Sequence, residues 1–344
     1  MLSLLFEPLI FSKMFILYIF SLLLALILIF LIIKTIEVNK GREKANERYA
    51  STKVEKFADK NSVKEISILP LIDSESVNDD LETENGVSYL ISTDDKQIVL
   101  DLGFNRAKKH PSPLLKNMKV LGKSFENIDY LVFSHAHLDH LGGMNEQKTK
   151  TFSISQSYVE TPKITVYSPV KIKPSEFNPQ LDKIIISEKP ITIVPGVYTI
   201  GNIPRHLFIM GYVEEQALAL RLDGKGIVLI VGCGHQTIQR ILERTKQLFD
   251  ENIYAVFGGL HFPILKRGNI SLMSVVQFIV GSDNAPWNGL REKDVFDAIE
   301  SIKNENIQLV GLSPHDSSEW SINEFKKAFG DKYVDIKVGK EINL

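Results

Sequence analysis

A layered α/β sandwich carried behind one membrane-spanning helix is the fold class that this sequence predicts. Three observations lead there: an uncharged apolar run over residues 14–33, a succession of short β-rich runs from residue 65 onward, and helical periodicity that appears between the later runs.

The apolar run MFILYIFSLLLALILIFLII (14–33) follows a short tail, 1–13. At about 1.5 Å per residue a helix of this length crosses the hydrocarbon core of a bilayer, about 30 Å thick. It runs into Lys34 with no small-residue cleavage pattern, so it reads as an uncleaved anchor rather than a secretory signal. Only Lys13 precedes it with a positive side chain, whereas Lys34, Lys40, Arg42, Lys44 and Arg48 follow. The positive-inside rule therefore puts the C-terminal bulk in the cytoplasm. Residues 34–64 are charge-rich and poor in large apolar residues, and are expected to form a solvated juxtamembrane linker, partly helical, that can touch anionic lipid.

From residue 65 to 344 the chain reads as one folded unit. EISILPLI, GVSYLIS and KQIVLDLG open a sheet, and DYLVFS (129–134), KITVYSP (163–169), ALALRL (217–222), GIVLIVG (226–232), IYAVFGG (253–259) and IQLVGLS (307–313) continue it. Several are unbroken apolar runs, which predicts strands covered on both faces. Ile238, Ile241, Leu242 and Phe249 share one helical face, as do Val295, Phe296, Ile299 and Ile302. Charge narrows the partners. With 40 basic and 42 acidic residues and a formal charge of −2, the chain lacks the positive field that nucleic-acid binding needs. Its single cysteine, Cys233, cannot form an internal disulfide.

The chemistry gathers in the histidines. Of eight in the chain, three fall in Ser134-His135-Ala136-His137-Leu138-Asp139-His140, directly after DYLVFS. In an extended loop His135, His137 and Asp139 share a face, and His140 can turn in from the next position. Neutral imidazoles and a carboxylate suit zinc, iron or manganese, and two neighbouring ions can divide such a set. Gly142 and Gly143 then allow a tight turn. His235 follows the core strand GIVLIVG near a helix start, where imidazolium is disfavoured and a neutral ligand is retained. His261 and His315 each follow another apolar strand. A dinuclear site needs about three protein ligands per ion, and His135, His137 and His235 with Asp139, His140 and either His261 or His315 would supply them. The sequence leaves the last ligand open, and the unused histidine is then a candidate acid or base facing the substrate. His110, in KKHPSP, reads as exposed, and His206 as a weaker ligand candidate.

Ser-His-x-His-x-Asp-His-x-Gly-Gly resembles the signature of the metallo-β-lactamase superfamily. LDLG (100–103), GNIPR (201–205), EEQAL (214–218), VGCGH (231–235), FGGLH (257–261) and SPHDSS (313–318) extend the likeness to its 7,8-dihydropterin-6-methyl-4-(β-D-ribofuranosyl)aminobenzene-5′-phosphate synthase-like branch, over about residues 65–340. The resemblance implies a four-layer αββα sandwich with one or two metals at the strand ends. It implies that Asp101 orients a metal-bound imidazole, and that Cys233 stands where many members carry a metal-bridging carboxylate. A turn-forming aspartate and a small buried cysteine are the alternative readings of these two positions. The resemblance also makes Glu215 a site residue, where the sequence alone reads it as an exposed charge. Arg205 and Lys225 are candidates to meet a substrate phosphate. Departures fall at Leu102, Gly234 and Asp316-Ser317-Ser318, where the branch usually reads Asp-Thr-Gly, Gly-Cys-Ser-His and His-Cys-Thr-Gly.

Two divalent ions, zinc foremost, would acidify a bridging water and polarise the bond it attacks, so hydrolysis of a phosphoester, ester or related small molecule is the expected reaction. Asp139, His261 and His315 are the catalytic candidates. A mononuclear iron oxygenase on the same fold and a non-catalytic membrane-tethered metal sensor are the alternatives.

Overall fold

A computed structural model of the chain describes residues 7–178, 181–265 and 272–344. Helix α1 runs unbroken over Glu7–Ser51. Its apolar window, from Met14, has mean hydropathy 3.3 and no buried residue, so the helix is long and apolar enough to cross a membrane.

The segment after this window departs from the expected solvated linker. It stays helical to Ser51, and a seam of reduced exposure runs down one side through Leu31, Thr35, Val38, Arg42, Ala45 and Tyr49. That spacing is one helical face laid on a neighbour. Val38 and Ala45 are buried in the seam. The charges that suggested a spacer are used as partners: Arg48 reaches Glu188 at 2.6 Å and Glu214 at 2.9 Å, and Arg42 reaches Asp283 at 3.7 Å. Beyond the helix Phe57 stacks on Tyr198 and Phe249, with ring centroids 4.4 and 5.3 Å away.

The first half of the remaining chain contains β1 (Ser67–Ile72), β2 (Ser88–Ser92), β3 (Gln97–Leu100), α2 (Pro113–Val120), β4 (Tyr130–Val132), α3 (Met144–Thr149), β5 (Thr151–Phe152), β6 (Ile164–Ser168), β7 (Lys173–Pro174) and β8 (Leu181–Ile186). The second half contains β9 (Ile191–Val194), β10 (Val197–Thr199), β11 (Ile203–Leu207), β12 (Gly211–Glu215), β13 (Leu218–Leu222), β14 (Gly226–Val231), α4 (Ile238–Leu248), β15 (Ile253–Gly258), α5 (Leu272–Val280), α6 (Glu292–Asn304), β16 (Leu309–Leu312), α7 (Glu319–Phe329) and β17 (Ile342–Asn343). A seven-stranded sheet has the order β17-β1-β2-β3-β4-β6-β8, and a six-stranded sheet β16-β15-β14-β13-β10-β9. β11 and β12 form a separate hairpin.

Side-chain alternation divides the core into layers. Ile98, Leu100 and Val132 of the first sheet meet Val228, Ile230 and Phe257 of the second in one shared core. Their neighbours Val99 and Leu131 turn outward onto Leu114 and Met118 of α2. Leu229 and Val231 turn outward onto Ile241 of α4, Val295 of α6 and Phe325 of α7. Helix, sheet, sheet, helix is the four-layer αββα order, and it explains why β14 reads as an unbroken apolar run.

Each of the nine expected strand runs carries a strand. The β9–β10 hairpin across Pro195-Gly196 and the β11–β12 hairpin were not anticipated. Phe296 is a correction: Val295, Ile299 and Ile302 of its helix are buried, but Phe296 is exposed and meets the edge of Trp320 at 5.9 Å.

Candidate metal centre

The topology brings the sequence-predicted residues to one rim. β3 and β4 run parallel in one sheet, and β14, β15 and β16 run parallel in the other. Their C-terminal ends release Asp101, the loop His135–His140, Cys233 and His235, His261, and His315 in turn. The histidine loop is shaped by Gly142, whose φ of +88° lies in the left-handed region and whose missing side chain leaves room for the Ser153 carbonyl.

Two groups of donor atoms form there. His135, His137 and His235 make one, and Asp139, His140, Cys233 and His315 the other, with the ligand atoms in each group within 4.8 Å of one another. Nε2 of His135 lies 2.9 Å from Nδ1 of His137, and the rings of His137 and His235 meet edge-on at 5.1 Å. In the second group Sγ of Cys233 lies 3.0 Å from Nε2 of His140 and 3.3 Å from Nε2 of His315. His315 thus stands in the second group. His261 is in neither, and instead packs its ring 4.6 Å from that of His235.

Asp101 is fully buried. Its carboxylate accepts from the backbone N–H of Ser134 at 2.8 Å and the Ser134 hydroxyl at 2.6 Å, and lies 2.7 Å from Nδ1 of His140. That contact fixes the ring and points Nε2 at the donor group. Glu215, far from being an exposed charge, is fully buried, and accepts the backbone N–H groups of Cys233, Gly234 and His235 at 3.0, 2.7 and 2.8 Å. It moulds the Gly-Cys-Gly-His turn.

Three more contributors, Asp73, Ser313 and Asp316, have no role assigned to them in the sequence reading. The Ser313 hydroxyl donates to Asp73 at 2.5 Å and lies 2.6 Å from Nδ1 of His315, a link that repeats the Asp101–His140 arrangement through a hydroxyl. Asp316 accepts the His261 backbone N–H at 3.0 Å. The signal available for Asp73 was its place immediately after SILPLI, the same strand-end position that marks Asp101.

The remaining candidates separate. Arg205 pairs with Asp283 at 2.5 Å and lines a cavity of about 50 Å³ with His235, His261, Leu207 and Leu290. Lys225 sits over the Tyr254 ring at the opposite, N-terminal end of β14, so the strand's length keeps it from the rim. His110 is exposed, and His206 packs beneath α1.

Electrostatics favour a cation. Burial, and then neighbouring imidazoles, hold His135 and His235 well below the usual histidine range, and His137 is pushed down to about 3. All three rings are uncharged at neutral pH, the form in which an imidazole can ligate a metal. Burial alone would also depress His140, but Asp101 and Asp139 outweigh it and hold the ring up at about 9. Burial, then the charge of Asp139, raises the Cys233 thiol. No lysine or arginine pairs with Asp101, Asp139, Glu215 or Asp316 among the described residues. His140 is the cationic partner of Asp101 and Asp139, whereas Glu215 and Asp316 are buried without one, which is costly, and Nδ1 of His235 is buried without a hydrogen-bond partner. The N/O/S donor set of the two groups is one that zinc accepts.

The family model of the metallo-beta-lactamase superfamily matches residues 81–196, about a third of the chain, and the αββα fold and histidine-bearing rim are similar to that superfamily's. A curated relative, 7,8-dihydropterin-6-methyl-4-(beta-D-ribofuranosyl)-aminobenzene-5'-phosphate synthase of Methanocaldococcus jannaschii, is 24% identical over 226 residues, covering 57% of this chain and 76% of that one. An uncharacterized protein of the same organism is 25% identical over 198 residues, covering 52% of this chain and 73% of that one. Among solved structures, Tm1679, described as a metal-dependent hydrolase of the beta-lactamase superfamily, superposes with a TM-score of 0.54 at 19% identity, over 80% of this chain and 98% of its own. At that identity the likeness speaks for the fold.

Proposed function

We propose that the protein is a membrane-anchored, metal-dependent hydrolase holding two divalent ions, most simply zinc, and that its substrate is a phosphoester, ester or related small molecule. The observation that carries this reading is the pair of donor groups, His135/His137/His235 and Asp139/His140/Cys233/His315, side by side at one rim. Bound there, the ions would supply Lewis acidity and an acidified water. Asp139, with its carboxylate 3.7 Å from Nε2 of His140, orients the nucleophile. Asp101 and the Asp73–Ser313 pair hold His140 and His315 in their ligating rotamers. His261, buried with both ring nitrogens lacking hydrogen-bond partners and facing the cavity lined by Arg205, exchanges a proton with the substrate. The apolar window of α1 spans the membrane, and the excess of positive charge after it keeps the catalytic domain in the cytoplasm.

His137→Ala and Asp139→Ala test this directly. Each abolishes hydrolysis and lowers metal content while leaving the circular dichroism spectrum largely unchanged; retained turnover at full metal content refutes the assignment. A synthase-like activity is the second reading. Its support is the likeness to the dihydropterin-linked synthase, and condensation of a pterin fragment with an aminobenzene ribosyl phosphate distinguishes it.

A further inference from the structure

β11 links the candidate site to the membrane-spanning helix. The carbonyl of Pro204 accepts from Arg240, which also reaches Asn46 of α1 at 2.6 Å. Two residues on, His206 stands against Gly41, where any added Cβ would overlap its ring. The strand thus advances along α1 toward the apolar window, and its turn, Phe208–Met210, continues in that direction. Leu31, inside the apolar window, and Lys34 and Thr35 just beyond it are half-buried while their neighbours are exposed, so the seam on the globular body enters the window itself. From Arg42, which pairs with Asp283 and donates to Asn284 at 3.0 Å, the window's end at Lys34 is only about 12 Å along the helix. No flexible spacer intervenes.

At this level the body exposes apolar side chains. Ile209 at the hairpin turn is 41% exposed, and Trp287, whose ring meets Phe208 at 6.0 Å, is 64% exposed. An exposed tryptophan beside the end of an apolar span is the usual arrangement at the headgroup level of a bilayer. The cavity beside His235 and His261 has its walls in the same two segments: Arg205 and Leu207 come from β11, and Ser282 and Asp283 lie just before Trp287. The Arg205 and Arg42 guanidiniums share one carboxylate, Asp283, which leaves a net positive charge beside a cavity whose wall also includes Leu207, Leu260, Phe262 and Leu290.

We infer that the β11–β12 turn and Trp287 rest on the bilayer that α1 crosses, and that the substrate is a phosphate-bearing amphiphile entering from that bilayer. The substrate class rests on the hydrolase reading above; the surface contact does not. In the reaction, water adds hydroxide to phosphorus, the phosphorus–oxygen bond to the departing alcohol breaks, and that alkoxide takes the remaining proton, leaving a phosphomonoester from a diester. The positive charge at Arg205 suits the anionic headgroup, and the apolar wall the start of its chain.

The test uses the full chain in phosphatidylcholine–phosphatidylglycerol vesicles. Trp320→Phe leaves Trp287 as the sole tryptophan, since the chain has two. Lipid brominated near the glycerol backbone is expected to quench Trp287 more strongly than aqueous iodide does; quenching by iodide with no effect of brominated lipid overturns the contact. Turnover is then read with a vesicle-embedded fluorogenic phosphodiester lipid and with soluble bis(p-nitrophenyl) phosphate. Ile209→Asp is expected to lower turnover of the lipid by roughly tenfold and leave the soluble probe unchanged. Hydrolysis of the soluble probe alone by the unsubstituted chain overturns the substrate class. Turnover of neither probe, with Trp287 still quenched by lipid, overturns the phosphate-bearing substrate and upholds the membrane contact; the hydrolase reading falls with it only if carboxylic esters are left intact as well.

Discussion

The carboxylate of Asp101 lies 2.7 Å from Nδ1 of His140, and both side chains are fully buried. This pair ties the end of β3 to the histidine loop after β4 and decides which ring nitrogen of His140 faces the donor group. Asp101→Asn keeps the left-handed backbone at this position, φ +61°, and removes the charge. Metal affinity is expected to fall by about 10- to 100-fold with the fold retained, as competition with a chromogenic chelator would measure. Unchanged affinity would reduce Asp101 to a turn residue.

The two donor groups share no residue, so their losses should separate. His135→Ala empties the three-histidine group, and His315→Ala the group built around Cys233. Elemental analysis of dialysed protein is expected to give one ion per chain for each variant. Simultaneous loss of all metal from both would argue for one shared centre.

Gly142 bends the loop where a Cβ would collide with the Ser153 carbonyl, at a φ that L side chains rarely adopt. Gly142→Ala is expected to cost about 2–4 kcal/mol, combining steric and backbone strain, and to lower metal binding with it. Denaturant titration measures the cost. A variant as stable as the parent would mean that the loop can reroute.

His206 lies under α1 beside Gly41, and burial lowers its imidazole below the usual histidine range. A depressed base stays neutral in the folded protein while the unfolded chain takes up a proton, so its contribution is present above about pH 6.5 and is lost as pH falls below that value. Packing of α1 on β11 should therefore loosen as pH is lowered through about 6. Hydrogen exchange of amides 37–48 is expected to quicken there, and His206→Gln to remove the dependence. Exchange insensitive to pH, after correction for the intrinsic rate, would contradict it.

The fold was legible where local pattern and global burial agree. Unbroken apolar runs such as GIVLIVG mark strands covered on both faces, and β14 is one. The candidate site was legible in type because its donor side chains follow strand ends, where parallel neighbours expose them on a common rim. Its partition was not. Whether His261 or His315 joins Cys233 depends on the geometry of β15 and β16, which no local spacing encodes. Glu215 looked exposed because its partners, three backbone N–H groups, have no signature in side-chain sequence. The segment after the apolar run was not legible because its charges suggest solvent, whereas Arg42 and Arg48 find partners 241 and 140 or more residues away only once the body has folded.

Anomalous diffraction from crystals of the full-length, metal-loaded protein tests the central claim most directly. Two peaks per chain are expected, one among His135, His137 and His235 and one among Asp139, His140, Cys233 and His315. A single peak, or peaks elsewhere with these side chains uncoordinated, would contradict the account.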